Sequence, residues 1–373
     1  MNINADRVEL YKKYIVYLSN HLNKIHNLNK SQEYWSLIIG PWLLNYICHT
    51  DSIYRKKKNP SNVVIDQNWI VPFDFISSIL LFDNKKYQAQ LEASYLERGV
   101  IFSRLNKVCI KESVRDDKYK PIIKALLELV LSRFVKDKIV VIDGMLSLKQ
   151  LFLITIKSRF RIIPFFLKRF DLDSLILSNS KRNWKETIDI SSNYEQCLHQ
   201  SILTQMPYVY LEGFPQLTSS VKNITSKSIV SATGWSANER MKVIAAEIKQ
   251  GKGKVIGLQH GGGPYGVINC PLVDLEVNNT SSFLTWGWGD GIKEQPFYSF
   301  KLSSLHDRKK YNDSNNKILY IGTSGSRFFP DELGLPSGEG FKKGYIDWQH
   351  RFLKALSNNA RKNIIVRISP DDS

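Results

Sequence analysis

The stretch Lys254–Gly266, KVIGLQHGGGPYG, concentrates the residues best suited to chemistry. His260 can give or take a proton, or donate to a phosphate or sugar oxygen. Gln259, Gly261, Gly262, Gly263 and Tyr265 flank it as candidate substrate contacts, and the glycines let a ligand approach the backbone closely. The run ahead of them, Val255-Ile256-Gly257-Leu258, reads as a short buried strand. A strand ending this way delivers His260 to the C-terminal edge of a sheet, where ligands bind in open α/β folds. A glycine-rich turn with a capping histidine is the plainer alternative.

Two phosphate-binding signatures are excluded here. No G-x-x-x-x-G-K-[ST] occurs, and Gly261-Gly262-Gly263-Pro264 lacks the G-x-G-x-x-G spacing of a dinucleotide site. A second candidate lies upstream, where the strand Ser228–Thr233 turns at Gly234-Trp235-Ser236 into a helix over Asn238–Lys249. That helix faces inward with Met241, Ile244, Ala245 and Ile248, and Ser236 or Asn238 caps it. Thr233 and Trp235 therefore share one sheet edge with His260. Glu239 and Arg240 are outside candidates. A third site is the turn Thr323-Ser324-Gly325-Ser326 after Lys317–Gly322, which reads as a buried strand; Ser324 could face a phosphate there.

These residues need a scaffold, and the hydrophobic pattern supplies one. Residues 1–30 read as a surface-lying helix with Tyr11, Tyr14, Ile15 and Leu18 on one stripe. Tyr34–Ile47 is apolar nearly all round and should be buried, with a break or kink at Gly40-Pro41. Val63–Ile65 is a short strand; Tyr87–Glu97 and Tyr119–Phe134 are helices. From Lys138 strands and helices alternate: Ile139–Ile142, the helix Leu146–Ile156, then Arg161–Pro164. That is the βαβ signature of a parallel sheet. Phe165–Leu217 carries little pattern beyond a helix over Asn193–Leu203. Phe283–Thr285 reads as the last strand of a first domain, and the polar Lys293–Asn316 as linker. The helix Tyr345–Ser357 and the strand Asn363–Ile368 then continue a second unit. The expected domains are residues 1–300, an α/β unit with a helical N-terminal extension, a linker at 301–316, and the opening of a second, truncated α/β unit at 317–373.

A chain of 373 residues with 43% hydrophobic content has the composition of a folded protein. Its net charge of +17 points to an anionic partner, or to lysines that merely solvate the surface. Zinc-finger and aromatic RNA-binding signatures are missing, so no specific nucleic-acid role is expected. Cys48, Cys109, Cys197 and Cys270 are scattered without a C-x-x-C pair, which fits a reducing cytoplasm and no metal centre. No apolar run reaches the roughly 20 residues of a membrane span, and the polar N-terminus is no signal peptide.

Several segments together resemble a known family. They are Tyr34-Trp35 with Gly40-Pro41-Trp42-Leu43 and Tyr54-Arg55, Ser231–Trp235, Gln259–Gly266, and Arg367-Ile368-Ser369-Pro370-Asp371. They are similar to a family of bacterial transferases associated with surface-polysaccharide gene clusters and like the GT-B glycosyltransferases. The resemblance implies two Rossmann-like domains facing across a cleft, with the C-terminal one incomplete. It implies a metal-independent transfer, needing no cofactor, from a nucleotide-sugar donor to a carbohydrate or lipid-linked acceptor. The setting would be the cytoplasm, with peripheral contact at the inner face of an anionic membrane. His260 would activate the acceptor or bind phosphate, and Arg367 would meet the donor phosphate. The alternatives are a polyol-phosphate transferase of the same fold, an inactive truncated remnant, and a charge-driven binder of anionic surfaces.

Overall fold

The computed structural model describes residues 3–55, 68–82, 84–96, 106–111, 134–184, 188–262, 264–266, 270–303, 317–322 and 338–367. The expected strand Val63–Ile65 and nearly all of the expected helix Tyr119–Phe134 lie outside them.

Two long helices begin the chain, α1 (Ile3–His26) and α2 (Gln32–Arg55). The first does not lie loosely on the surface, because Tyr14, Ile15, Leu18 and Leu22 are fully buried against the rest of the protein. From Leu37 to Asp51 every residue of α2 except Pro41 is buried. The expected break at Gly40-Pro41 is absent: the helix runs through it. Proline removes one intrahelical hydrogen bond, and packing of α2 on every side outweighs that loss.

A small parallel pair follows, β1 (Asn68–Pro72) with β2 (Asn106–Ile110). Helices α3 (Phe75–Leu81) and α4 (Lys85–Leu96) lie between them in the chain. The main sheet then begins with β3 (Ile139–Ile142), helix α5 (Leu148–Lys157) and β4 (Ile162–Pro164). Ser147 and Gln150 form a capping box at the start of α5. The stretch with little sequence pattern holds α6 (Asn193–Gln205), α7 (Tyr208–Leu211) and α8 (Phe214–Ser219). After it come β5 (Ser228–Ser231), α9 (Gly234–Ala237), α10 (Glu239–Gln250), β6 (Lys254–Leu258), α11 (Pro271–Asn279) and β7 (Ser282–Thr285).

The sheet is parallel throughout, in the order β4-β3-β5-β6-β7-β8. The chain moves one way from β3 to β4 and the other way from β5 onward. The reversal lies between β3 and β5, so the crevice expected of a doubly wound sheet opens at their C-terminal ends. Its last strand, β8 (Glu294–Pro296), falls within the stretch expected to be linker. Glu294-Gln295-Pro296 shows no apolar run, and the strand forms because its neighbours shape the chain. The Asp290 carboxylate accepts the backbone N–H groups of Ile292, Lys293 and Glu294 at 2.8, 3.0 and 3.2 Å. Gly289 and Gly291 take the left-handed φ angles of 125° and 74° that such a turn requires. A short helix, α12 (Phe300–Ser303), follows.

Beyond residue 316, β9 (Ile318–Ile321) and β10 (Ile364–Arg367) pair in parallel as a separate two-stranded sheet. Helices α13 (Gly338–Ala355) and α14 (Asn358–Asn363) connect them. The βαβ pattern expected there is present. The expected burial of the first strand is not, since Ile318, Leu319 and Ile321 are all exposed.

One buried ion pair fastens α10 to the elements around the site. Lys242 Nζ lies 2.8 Å from Glu239 Oε1 and donates to the Tyr210 hydroxyl at 2.9 Å. The same carboxylate accepts the Tyr210 O–H at 3.1 Å and the Phe75 backbone N–H at 3.2 Å. Burial pushes the Glu239 carboxyl above its usual range, and the Lys242 ammonium opposes that shift. Removing the cation alone is expected to cost about 3–5 kcal/mol, because an unpaired carboxylate stays buried. In the Lys242→Met variant this loss should deepen as pH rises from 4.5, since protonated Glu239 is easier to bury than its anion. The Glu239→Leu/Lys242→Met double variant should recover most of the stability. Denaturant titrations at pH 5 and pH 8 measure both effects.

Candidate functional site at the C-terminal edge of the sheet

Strand β6 is held between β5 and β7, and it releases the chain at Leu258. Gly257 is required within it: a Cβ there would lie 2.4 Å from the Phe283 ring on β7. The Phe283 ring stacks on Tyr265 at 5.9 Å, so the glycine in the strand allows the tyrosine its position.

Gln259 anchors the loop. Its backbone N–H bonds the Leu284 carbonyl at 2.9 Å. Its side-chain oxygen accepts the Trp286 backbone N–H at 2.7 Å and the Trp288 indole N–H at 2.8 Å. The amide nitrogen donates to the Gly261 carbonyl at 2.8 Å. The Gln259 amide thus joins the loop after β6 to the loop after β7, and its polar atoms face protein partners.

His260 is half-buried, with Nε2 3.5 Å from Glu276 Oε1 on α11. Tyr265 donates its hydroxyl to the other oxygen of Glu276 at 2.6 Å and meets the imidazole edge-on at 5.4 Å. Burial, reinforced by the adjacent carboxylate, pushes the Tyr265 phenol far above its usual range, so it remains a donor. Glu276 therefore holds two groups at once: a tyrosine that donates to it and a histidine that it can orient. With Nε2 turned toward Glu276, Nδ1 is the ring nitrogen left to work on a reactant. Glu276 was not among the residues expected from the sequence. Its one signal is position: it opens the last turn of a helix that follows directly on the glycine loop.

Gly261 and Gly262 follow His260 with open space on the Cβ side and no left-handed φ. Neither crowding nor backbone strain calls for glycine at these two places. Gly263 lies outside the described residues, as does Ser324.

Thr233 begins α9 without a side-chain cap, and its carbonyl accepts the Ser236 N–H at 3.3 Å. Trp235 is buried and bonds the Ser231 carbonyl through its indole N–H at 3.0 Å. Asn238 caps α10, accepting the N–H groups of Arg240 and Met241. Glu239 sits in the buried pair described above. Arg240 is buried too, bonded to the Ser220 carbonyl at 2.7 Å. Both are framework residues of α10.

A cavity of about 340 Å³ joins these pieces. Trp235 from the β5 edge and His260, Tyr265 and Glu276 from the β6 side line it. Leu37, Pro41 and Asn45, one stripe of α2 at i, i+4 and i+8, form the opposite wall. Trp235 and His260 thus meet at one cavity, whereas Thr233, Gln259, Gly261 and Gly262 are not among the residues lining it. The contribution of α2 was not expected. Arg367 is exposed at the end of β10, in the separate sheet, and is not among the residues lining this cavity. Among the described residues no group of three or more His, Cys, Asp or Glu is arranged to hold a metal ion.

A family model described as LIC12162 family transferase matches residues 5–373. The chain belongs to the LIC12162 family of transferases. No curated protein and no solved structure matches it. In this transferase the α/β architecture expected from the sequence holds, with its six-stranded parallel sheet. Among the described residues no helix is long and apolar enough to cross a membrane.

Replacing Gln259 by leucine should leave the Trp286 N–H and the Trp288 indole without their acceptor. A loss of about 1–3 kcal/mol is expected, with a changed tryptophan emission in the folded state. Denaturation followed by fluorescence reads both.

Proposed function

We propose that this LIC12162 family transferase moves a sugar from a nucleotide-sugar donor to an acceptor hydroxyl presented in the cavity, with His260 as general base. The observation that carries the reading is the His260–Glu276–Tyr265 arrangement at the C-terminal edge of a doubly wound sheet, opening on a cavity of ligand size. His260 Nδ1 takes the acceptor proton. The acceptor oxygen bonds to the anomeric carbon, while the bond from that carbon to the donor's phosphate oxygen breaks. The nucleotide leaves with the electron pair on its phosphate oxygen. Glu276 fixes the ring and stabilises the imidazolium that forms, as a carboxylate partner does for other histidine bases. Tyr265 holds Glu276 in place. The uncrowded backbone at Gly261 and Gly262 supports close approach of the donor.

In this reading the chain has the GT-B arrangement. The main sheet serves the acceptor, and the βαβ unit of β9, α13 and β10 opens the donor side. Arg367 at the end of β10 would supply positive charge for the donor phosphates, replacing the metal that other transferases use.

Transfer assays on the full-length protein with a panel of nucleotide sugars test this. One nucleotide of the CMP, UDP, GDP and CDP set should bind selectively. His260→Ala should lower turnover by roughly 10²–10⁴-fold with that nucleotide's affinity little changed. Glu276→Gln should lower turnover less. Transfer from a CDP-linked polyol in place of any nucleotide sugar would assign polyol-phosphate chemistry to the same site. Absence of nucleotide binding altogether would sink the transferase mechanism drawn here.

Peripheral contact with an anionic membrane is supported by α5. Leu148, Phe152 and Ile156 recur at i, i+4 and i+8 and are all exposed, with Leu153 and Phe160 also exposed nearby. Lys149, Lys157, Arg159 and Arg161 are exposed around them. An apolar stripe rimmed by cations suits an interfacial helix. Binding to phosphatidylglycerol vesicles should exceed binding to neutral vesicles and fall with salt. Phe152→Ser/Ile156→Ser should weaken it. Equal binding of the variant and the parent would remove α5 from the contact.

A further inference from the structure

The cavity walls are almost wholly apolar, from Leu37, Phe75, Ile79, Trp235, Leu272 and Leu275. A bare carbohydrate placed among them would bury hydroxyls without partners, which is costly. Two amides also line this cavity, and they differ sharply. The Asn279 side chain accepts the Ser36 hydroxyl at 2.9 Å and donates to the Ser36 carbonyl at 3.2 Å. Asn45 is 1% exposed, and neither its side-chain nitrogen nor its oxygen has a hydrogen-bond partner among the described residues. A buried amide lacking both bonds costs stability unless something in the cavity completes it. The same stripe of α2 carries a further polar opening, because Pro41 has no N–H to give to the Leu37 carbonyl.

We propose that this cavity takes the apolar part of the acceptor, and that Asn45 reads a carboxamide or hydroxyl set within that part. The ligand class is an alkyl or isoprenoid-like chain carrying one group that both donates and accepts a hydrogen bond. Its reactive hydroxyl would reach His260. Asn45 acts by selecting and seating this chain, so it is a specificity residue and takes no part in proton transfer. The inference rests on reading the cavity as the acceptor site.

Calorimetric titration of the full-length protein with three small probes of equal length tests the idea. N-propylpropanamide and 4-heptanol each donate and accept, whereas di-n-propyl ether only accepts. Either the amide or the alcohol should bind about tenfold tighter than the ether, the value of roughly one net hydrogen bond. Whichever of the two is preferred identifies the group. In Asn45→Leu that preference should vanish while the ether binds at least as well, and the thermal midpoint should hold or rise because the orphaned amide is gone. Leu272→Trp, from a half-buried position, should fill the cavity and abolish binding of all three. Equal binding of the three probes to the parent protein would overturn the proposal, since Asn45 would then contribute nothing to recognition. So would binding that survives Leu272→Trp.

His260→Ala should keep the probe preference, because it alters neither the chain-binding walls nor Asn45. If the preference is absent yet His260→Ala abolishes transfer, the selection by Asn45 fails and the catalytic reading stands. If the preference is preserved and His260→Ala transfers normally, the selection by Asn45 stands and the catalytic role of His260 fails.

Discussion

Helix α2 has to pass unbroken through Pro41, and the rest of the molecule depends on its doing so. The helix is tied to its neighbours by polar bonds at separate points along its length. Tyr34 donates to Glu247 on α10 at 2.9 Å, Ser36 to Asn279 on α11 at 2.9 Å, and Asp51 pairs with buried Arg7 of α1 at 2.7 Å. Gly40 permits the closest approach: a Cβ there would lie 2.8 Å from the Tyr11 hydroxyl. A helix broken at Gly40-Pro41 could not meet all of these partners together. Their combined packing outweighs the local preference of proline, and the cost falls at the Leu37 carbonyl, on the stripe that faces the cavity.

The site is therefore composite. The sheet supplies one side of the cavity through the ends of β5 and β6, and α2 with α11 supplies the wall against it. Glu276 belongs to α11, whose position follows from both β6 and α2. The His260–Glu276 geometry is thus set by the same helix that encloses the cavity.

Buried charge is handled in two ways in this protein. Arg7–Asp51, Arg182–Glu212 and Lys242–Glu239 are close pairs of 2.7, 2.7 and 2.8 Å with side chains at most 5% exposed. Arg7–Asp51 and Arg182–Glu212 join segments distant in the chain, whereas Lys242–Glu239 lies one turn apart on α10 and reaches its neighbours through Tyr210 and Phe75. His260–Glu276 is wider at 3.5 Å, and both side chains keep contact with the cavity or solvent. A looser, accessible pair beside a cavity can change partners during a reaction, whereas a tight buried pair cannot without large loss.

Much of this was legible from residue order. The strands Ile139–Ile142, Ser228–Ser231 and Lys254–Leu258 are short apolar runs followed by turns, and local periodicity alone picks them out. Their parallel pairing follows from the intervening helices, which sets Trp235 and His260 on one edge. The helix expected over Asn193–Leu203 is present as α6, but polar β8 and the short helices α7 and α8 carry no such signal, because side chains distant in sequence or local turn bonds stabilise them. The sequence alone thus determined the α/β class, the parallel order of β5 and β6, and the placing of His260 at a sheet edge. That Gln259 holds loops together, that Glu276 faces His260, and that Asn45 has no side-chain hydrogen bond among the described residues in the wall of an apolar cavity follow from tertiary packing. Each of those depends on contacts between residues far apart in the chain, whose distances no local pattern encodes.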